Sequence, residues 1–336
     1  MDKTAIAGLC PEELTQIIDF KRKFQADQLF AAVVQGVEDI NSVTTLSKYL
    51  RQELSEEFTI YSCTAEQLLE DPDGTKKALI RMSDGTAVES VLLRDSDGRK
   101  TACLSTQAGC AMGCTFCRTG TMGLKRNLTA SEIVQQFMIM QNSWGKISHI
   151  VFMGMGEPLQ NLQEVRKSIE WFSHPKGLNI SLRKITVSTC GLIKQLKDLM
   201  DNGPAVRIAV SLTSADQALR EQLMPVCANN TLHDLKQTIL DYQQDSSRRI
   251  TFEYVLLKGV NDREKDVMDL RKFCRGINYV INLIPWNQAD ELDFEPPDEK
   301  DIQNFMDKAA EVHLNMVRRY RRGNNISGAC GQLAVQ

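Results

Sequence analysis

Through the first fifty-odd positions apolar residues recur three and four apart, in "PEELTQIIDF", "ADQLFAAVVQGV" and "TTLSKYLRQEL". That period puts them on one face of a helix, so three helices are predicted, the last capped by Thr44 or Thr45. The period then falls to two. "KKALIRMSDGTAVESVLLRDSDGRKTACLS" alternates apolar and polar positions around Asp84-Gly85 and Asp97-Gly98, dipeptides that suit tight hairpin turns. A small antiparallel meander is predicted there.

From Cys103 onward β-rich runs ("HIVFMGMG", "KITVST", "VRIAVSL", "ITFEYVLL", "YVINLIPW") alternate with helix-like stretches such as "LQEVRKSIEWF", "LIKQLKDLM" and "LHDLKQTILDYQQ". Strands separated by helices predict a parallel sheet, and five or six such units a full or partial barrel. Chemistry in such a barrel gathers at the C-terminal strand ends, where Glu157, Ser188, Ser211 and Asn287 fall. Thr129 and Glu132 form a T-x-x-E capping box, which starts a helix near Ala130.

Composition narrows the class. The 336 residues are 42% hydrophobic and 25% charged, as in an ordinary globular protein. No apolar run nears the roughly 20 residues that span a bilayer, and the first residues lack a secretion signal, so a cytoplasmic protein with no membrane partner is expected. A net charge of −3, from 40 basic and 43 acidic residues, excludes a globally basic nucleic-acid binder. A polyanion would have to be met by local clusters: Lys21, Arg22 and Lys23; Lys125 and Arg126; and the densest, Arg318 to Arg322.

Ten cysteines bring in the chemistry. In a reducing compartment, clustered thiols are metal ligands or catalytic groups more often than disulfides. Cys110, Cys114 and Cys117 follow a C-x-x-x-C-x-x-C spacing. A closed zinc site needs a fourth ligand, yet His149, His174, His233 and His313 are scattered and no second cysteine pair follows. Three thiolates fit a [4Fe–4S] cluster with one iron free of protein ligands, and zinc with a distant fourth ligand remains the alternative. Cys10, Cys63, Cys190, Cys227 and Cys274 read as small buried apolar residues, and Cys330, taken alone, as a packed thiol in a Gly-rich tail.

"CAMGCTFC", with Phe116 before its last cysteine, resembles the cluster motif of the radical S-adenosylmethionine (SAM) enzymes, and "MGMGEP" resembles their Gly-rich strand end. The resemblance implies that the open iron chelates SAM, that an electron cleaves SAM to methionine and a 5′-deoxyadenosyl radical, and that Gly156 and Glu157 meet the SAM amino group. "CLSTQAGC", "NLTASEI", "FMGMGEPLQN", "INLIPWN", "ACGQL" and the N-terminal "ADQLFAAVVQGVEDINSVTTLSKYLRQEL" extend it over nearly the whole chain, toward the RlmN/Cfr family of RNA methyltransferases. The implied fold is α/β: a partial (β/α)6 TIM-like radical SAM barrel (96–325) behind a small helical N-terminal accessory domain with a short β-meander (1–95), and a tail (326–336).

The resemblance also assigns roles. Cys330 accepts a methyl group from the first of two SAM molecules per turnover, and the radical from the second activates that methyl toward an adenine carbon. Cys103 resolves the protein–RNA adduct and leaves a transient disulfide with Cys330, while Glu89 handles the ring proton. From the strand pattern alone, Glu89 is a solvent-facing residue. Ser188, Ser211, Leu212, Thr213 and Asn287 match SAM-contacting positions. The implied partners are 23S rRNA, with tRNA as a second substrate, and a reducing donor such as flavodoxin or ferredoxin; a monomer is expected. "GEP" and "INLIPWN" look like the C2-methylating (RlmN-type) enzymes rather than the C8-methylating ones. Three positions depart from the family: Thr213 where a histidine is common, Asn325 where an aspartate precedes the isoleucine, and Cys227 in "MPVC" for "MPIN". The competing readings are C8 methylation, another radical SAM activity, and a non-catalytic metal-stabilised RNA-binding module.

Overall fold

The computed structural model of the chain describes residues 3–95, 97–289 and 291–335, with the Asp245 side chain left aside. A ten-stranded sheet organises it, its strands side by side in chain order. They are β1 (Thr64–Glu70), β2 (Lys76–Arg81), β3 (Ala87–Arg94), β4 (Lys100–Cys103), β5 (His149–Phe152), β6 (Ile185–Thr189), β7 (Arg207–Ser211), β8 (Ile250–Leu256), β9 (Tyr279–Pro285) and β10 (Met316–Arg318). β1 to β4 run antiparallel, and β4 to β10 run parallel. Meander and barrel are therefore one continuous sheet. Cys103 stands at the joint, opposite Val91 on β3 and Val151 on β5.

Helices Ala130–Trp144, Leu162–Ser173, Ile193–Asn202, Leu232–Asp245, Glu264–Cys274 and Glu299–Glu311 follow β4 to β9 in turn. That makes six β/α units, with β10 as an added seventh parallel strand. No ladder joins β10 back to β4 among the described residues, so the barrel is partial. Its strands carry buried Ile185, Val187, Ile208, Val210, Phe252 and Ile281, the β-branched and aromatic residues that fill a doubly covered sheet. Helix Ala130–Trp144 starts on the expected capping box: Thr129 N donates to Glu132 Oε2 (2.8 Å), and Glu132 N to Thr129 Oγ1 (3.2 Å).

Three helices, Pro11–Ile17, Phe24–Val34 and Lys48–Glu57, form the N-terminal module. The third is capped by Ser47, whose Oγ accepts from Leu50 N at 3.3 Å, and not by Thr44 or Thr45. The module packs on the barrel through Phe30, edge-on to Trp171 (5.7 Å) and His174 (4.9 Å), and through Gln135 Oε1, which accepts from Ser62 N and Cys63 N (both 2.8 Å).

β3 removes the alternative, surface reading of Glu89. Its first six residues, Ala87 to Leu92, are all buried, so Glu89 is not solvent-facing. Ser90 reaches Gln136 of the first barrel helix (2.6 Å), while Glu89 meets the C-terminal tail. A strand covered on both faces loses its polar side even where its sequence alternates. No helix among the described residues is long and apolar enough to cross a membrane.

Candidate active site

A hairpin, Gln107–Cys110 against Gly123–Asn127, presents the cysteine motif. Cys110 ends the first strand, Cys114 lies in the loop, and Cys117 caps the short helix Arg118–Thr121. Two glycines let the loop close on itself. A Cβ at Gly109 (φ +78°) would lie 1.9 Å from Gly123 O, and one at Gly120 would lie 2.8 Å from Cys114 O. Trp286 Nε1 donates to Phe116 O (2.8 Å) and Thr115 N to Leu223 O (3.0 Å), tying the loop to the barrel rim.

The three cysteines line a cavity at the C-terminal ends of β5 to β9, together with Gly156, Glu157, Ser188, Ser211 and Asn287. Leu212 and Thr213 lie fully buried behind Ser211 and do not line it. Thr213 holds φ +55°, an unusual conformation for a β-branched residue, and its carbonyl accepts from Asn261 Nδ2 (2.7 Å). Glu157 is buried, and its two carboxylate oxygens accept from Leu159 N (3.0 Å) and Cys190 N (2.8 Å). Burial outweighs these bonds and pushes its carboxyl above the usual range. The glycines beside it admit protein first of all: a Cβ at Gly154 would meet Leu104 O at 2.8 Å, and one at Gly156 (φ +101°) would meet Gln107 N at 2.8 Å.

Sequence reasoning missed three residues here. Cys190 is buried and lines the cavity. Glu253, on β8 opposite Ser211 of β7, is also buried. Its Oε1 accepts from Asn282 Nδ2 (3.0 Å), and its Oε2, 3.7 Å from Arg319, has no hydrogen-bond partner. A carboxylate inside the apolar run "ITFEYVLL" was the readable signal. Arg319, seen only as part of a basic run, also lines the cavity.

A second cavity adjoins the first, lined by Cys103, Arg319 to Arg322 and the tail. Met153, Ile284, Asn287, Arg319 and Cys330 face both. Hydrogen bonds lay the tail across the junction: Asn287 Nδ2 donates to Cys330 O (3.2 Å), Arg118 N to Gly331 O (2.9 Å), and Thr119 Oγ1 to Leu333 O (2.6 Å). All ten cysteines are free, so no bond joins Cys103 to Cys330, although both line the second cavity. Burial pushes Cys103 up to about 12, with the charge of Cys330 adding to it and Arg319 opposing it. Cys330 presents surface to the cavities, yet the protein around it is dense enough that desolvation raises its thiol, again against Arg319.

The donor set fits an iron–sulfur cluster. Burial raises Cys110 to about 12 and lifts Cys114 and Cys117 as well, with the charge of Cys117 adding to the first two and that of Cys330 to the third, so cationic iron would favour the thiolate form of all three. Glu253 Oε2 and Asn287 Oδ1, both buried without a partner, leave acceptors for a ligand rich in N–H and O–H groups.

Glu89 lines neither cavity. Its Oε1 pairs with Lys77 (2.8 Å), and its Oε2 accepts from Ala334 N (3.0 Å). Of the basic clusters, Arg126 is paired with Asp84 and Glu132, and Arg318 with Glu299.

The Radical SAM superfamily pattern matches residues 104–271, so fold, cluster loop and comparison together define a radical SAM protein. The probable dual-specificity RNA methyltransferase RlmN of Treponema denticola is 45% identical over 98% of this chain and 95% of its own length. The dual-specificity RNA methyltransferase RlmN of Syntrophotalea carbinolica is 41% identical over 96% and 87%. A crystal structure of a radical SAM methyltransferase from Sphaerobacter thermophilus superposes with a TM-score of 0.94 at 36% identity, covering 98% of this chain and 99% of that one. The chain belongs to the RlmN family of radical SAM methyltransferases.

Proposed function

We propose that this protein methylates C2 of an adenosine in 23S rRNA, and also in tRNA, by way of a methyl group carried on Cys330. One observation carries the reading: Cys330 faces both the three-cysteine cavity and the adjoining cavity that Cys103 lines. The relatives' name, dual-specificity RNA methyltransferase, supports an RNA substrate and more than one kind of it.

The roles follow from position. Cys110, Cys114 and Cys117 would hold the [4Fe–4S] cluster; Gly156, Glu157, Ser188, Ser211 and Asn287 would hold SAM, with Leu212 and Thr213 supporting Ser211 from behind. Once bound, and given an electron by a flavodoxin or ferredoxin, the cluster–SAM pair would supply radical chemistry at the sulfur-bound methyl. The buried Glu157 carboxylate suits an ammonium. Adenine C2 is electron-poor, so direct displacement at a sulfonium methyl fails there, and a carbon radical on the Cys330 methyl avoids that barrier. Arg319 favours the thiolate of both reacting cysteines. The adduct formed by the carbon radical gives up the ring proton and one electron, for which the loaded cluster would be the acceptor. The Cys103 thiolate then attacks the Cys330 sulfur, and the bond from that sulfur to the methylene carbon breaks toward the base. The carbon takes up a proton to become the methyl group, and the resulting disulfide is restored to two thiols by an external thiol reductant. With the tail docked, the Glu89 carboxylate is engaged by Lys77 and Ala334, so its service as a base on the ring proton requires the tail to move first. In this reading the tail, residues 326–336, is the part that carries the methyl group.

Anaerobic turnover of the cluster-loaded protein with methyl-deuterated SAM and a 23S rRNA fragment tests the reading. The expected product, by nucleoside mass spectrometry, is 2-methyladenosine that has lost one deuteron from its methyl group. 8-Methyladenosine would assign the C8 reaction instead, and full activity in Cys330→Ala would overturn the carried-methyl route.

A further inference from the structure

The tail that carries Cys330 is held on both sides of that residue by one buried ion pair. Lys77 on β2 and Glu89 on β3 are diagonal neighbours on one sheet face, since Lys77 stands opposite Val91 and Glu89 opposite Leu79. Both are less than one-tenth exposed, and their side chains meet at 2.8 Å. Each has a second bond, and both second bonds go to the tail. Lys77 Nζ donates to Ser327 O at 3.4 Å, and Glu89 Oε2 accepts from Ala334 N at 3.0 Å. The loop between those contacts, residues 327–334, contains Cys330. Upstream, the β1–β2 turn adds two anchors: Gly323 N donates to Asp73 Oδ2 (2.8 Å) and Asn325 N to Asp71 Oδ2 (2.9 Å).

A buried ion pair costs desolvation, and a well-packed apolar pair in its place is often as stable. This pair lines neither cavity. What it does, and an apolar pair cannot, is hold polar groups at both ends of the Cys330 loop.

We propose that Lys77 is a positioning residue for Cys330: paired with Glu89, it clasps the two ends of the 327–334 loop and so presents the thiol at the junction of the two cavities. The consequence for methyl transfer rests on the role given to Cys330 above, but the clasp itself does not.

The test reads the tail directly. In the cluster-loaded protein without SAM, the rate of Cys330 alkylation by N-ethylmaleimide is followed by peptide mass spectrometry, alongside hydrogen exchange of the tail amides. Lys77→Met is expected to accelerate both by about tenfold or more, the factor that loss of a charge-assisted hydrogen bond carries. Lys77→Arg is expected to restore the slow rates. Because Lys77→Met leaves a buried carboxylate unpaired, the Lys77→Met/Glu89→Leu double variant serves as a second test with no buried charge, and the same acceleration is expected. Wild-type alkylation and exchange rates in folded Lys77→Met or in the double variant would overturn the clasp. If the variants loosen the tail while the wild-type protein never methylates Cys330, the clasp stands and the functional reading falls.

Discussion

Thiol ionisation governs this site at the scale of single residues. Cys103 is pushed up to about 12 by burial, so little of it is thiolate near neutral pH, and thiolate is the form that attacks sulfur. For an acid titrating far above the working pH, the reactive fraction grows about tenfold per pH unit. Single-turnover product release is therefore expected to accelerate from pH 7 to 9, and Arg319→Met to slow it at every pH in that range, since Arg319 favours both thiolates. A flat profile in quenched-flow measurements would remove Cys103 from the resolving step. On the proposed route, Cys330→Ser is expected to keep iron, sulfide and uncoupled SAM cleavage while losing RNA methylation, because it would remove the sulfur proposed to carry the methyl group and none of the three cysteines proposed to hold the cluster. Cys110, Cys114, Cys117, Glu157, Ser188, Ser211 and Asn287 were all legible as candidates, for each is a reactive or polar residue in a clear motif or at a strand end, whereas Cys103 and Cys330 stood out only through the family resemblance. Glu253 was legible too, had its charge inside an apolar strand been weighed.

At the scale of elements, legibility followed burial. The barrel strands and the capped helix Ala130–Trp144 stood out because apolar periodicity and capping are local signals. β1 did not: six of its seven residues are exposed, so it shows no apolar alternation, and only its ladder to β2 makes it a strand. β10 was hidden by its three-residue length and the basic run that begins at its last residue, Arg318, and the cluster hairpin by its glycines. Ser47 took the cap expected of Thr44 or Thr45 because the helix starts later than its apolar period suggests. Two substitutions test this level. Thr129→Ala removes a capping hydroxyl and is expected to cost about 1 kcal/mol in urea unfolding. Gly154→Ala would press a methyl against the Leu104 backbone, and is expected to lower both stability and cluster retention, read by melting and by iron content.

Over the whole molecule, several thiols far from the site share one response to pH. Burial raises Cys10, Cys63 and Cys274 from 9.0 to about 12. Between those values the folded chain keeps protons that the unfolded chain has lost. Stability from these groups is therefore complete below about pH 8 and falls as pH rises through 9 toward 12, by roughly 1.4 kcal/mol per thiol per unit within that window. Urea unfolding at pH 8 and pH 10 checks the sign: a midpoint that holds or rises at pH 10 would contradict it.

The sequence by itself determined the alternation of strands and helices, a barrel-like run of five or six such units, the three-thiol loop and the polar residues at the strand ends. Each rests on periodicity, spacing or a motif, and all of those are local. Only the tertiary structure decided that meander and barrel form one sheet, that Leu212 and Thr213 stand behind the cavity, and that Glu89 is buried against Lys77. It alone decided that Cys330, more than two hundred residues from Cys103, faces the same cavity. The reason is physical: those relations depend on which surfaces cover one another once the chain has folded, and no window of neighbouring residues carries that information.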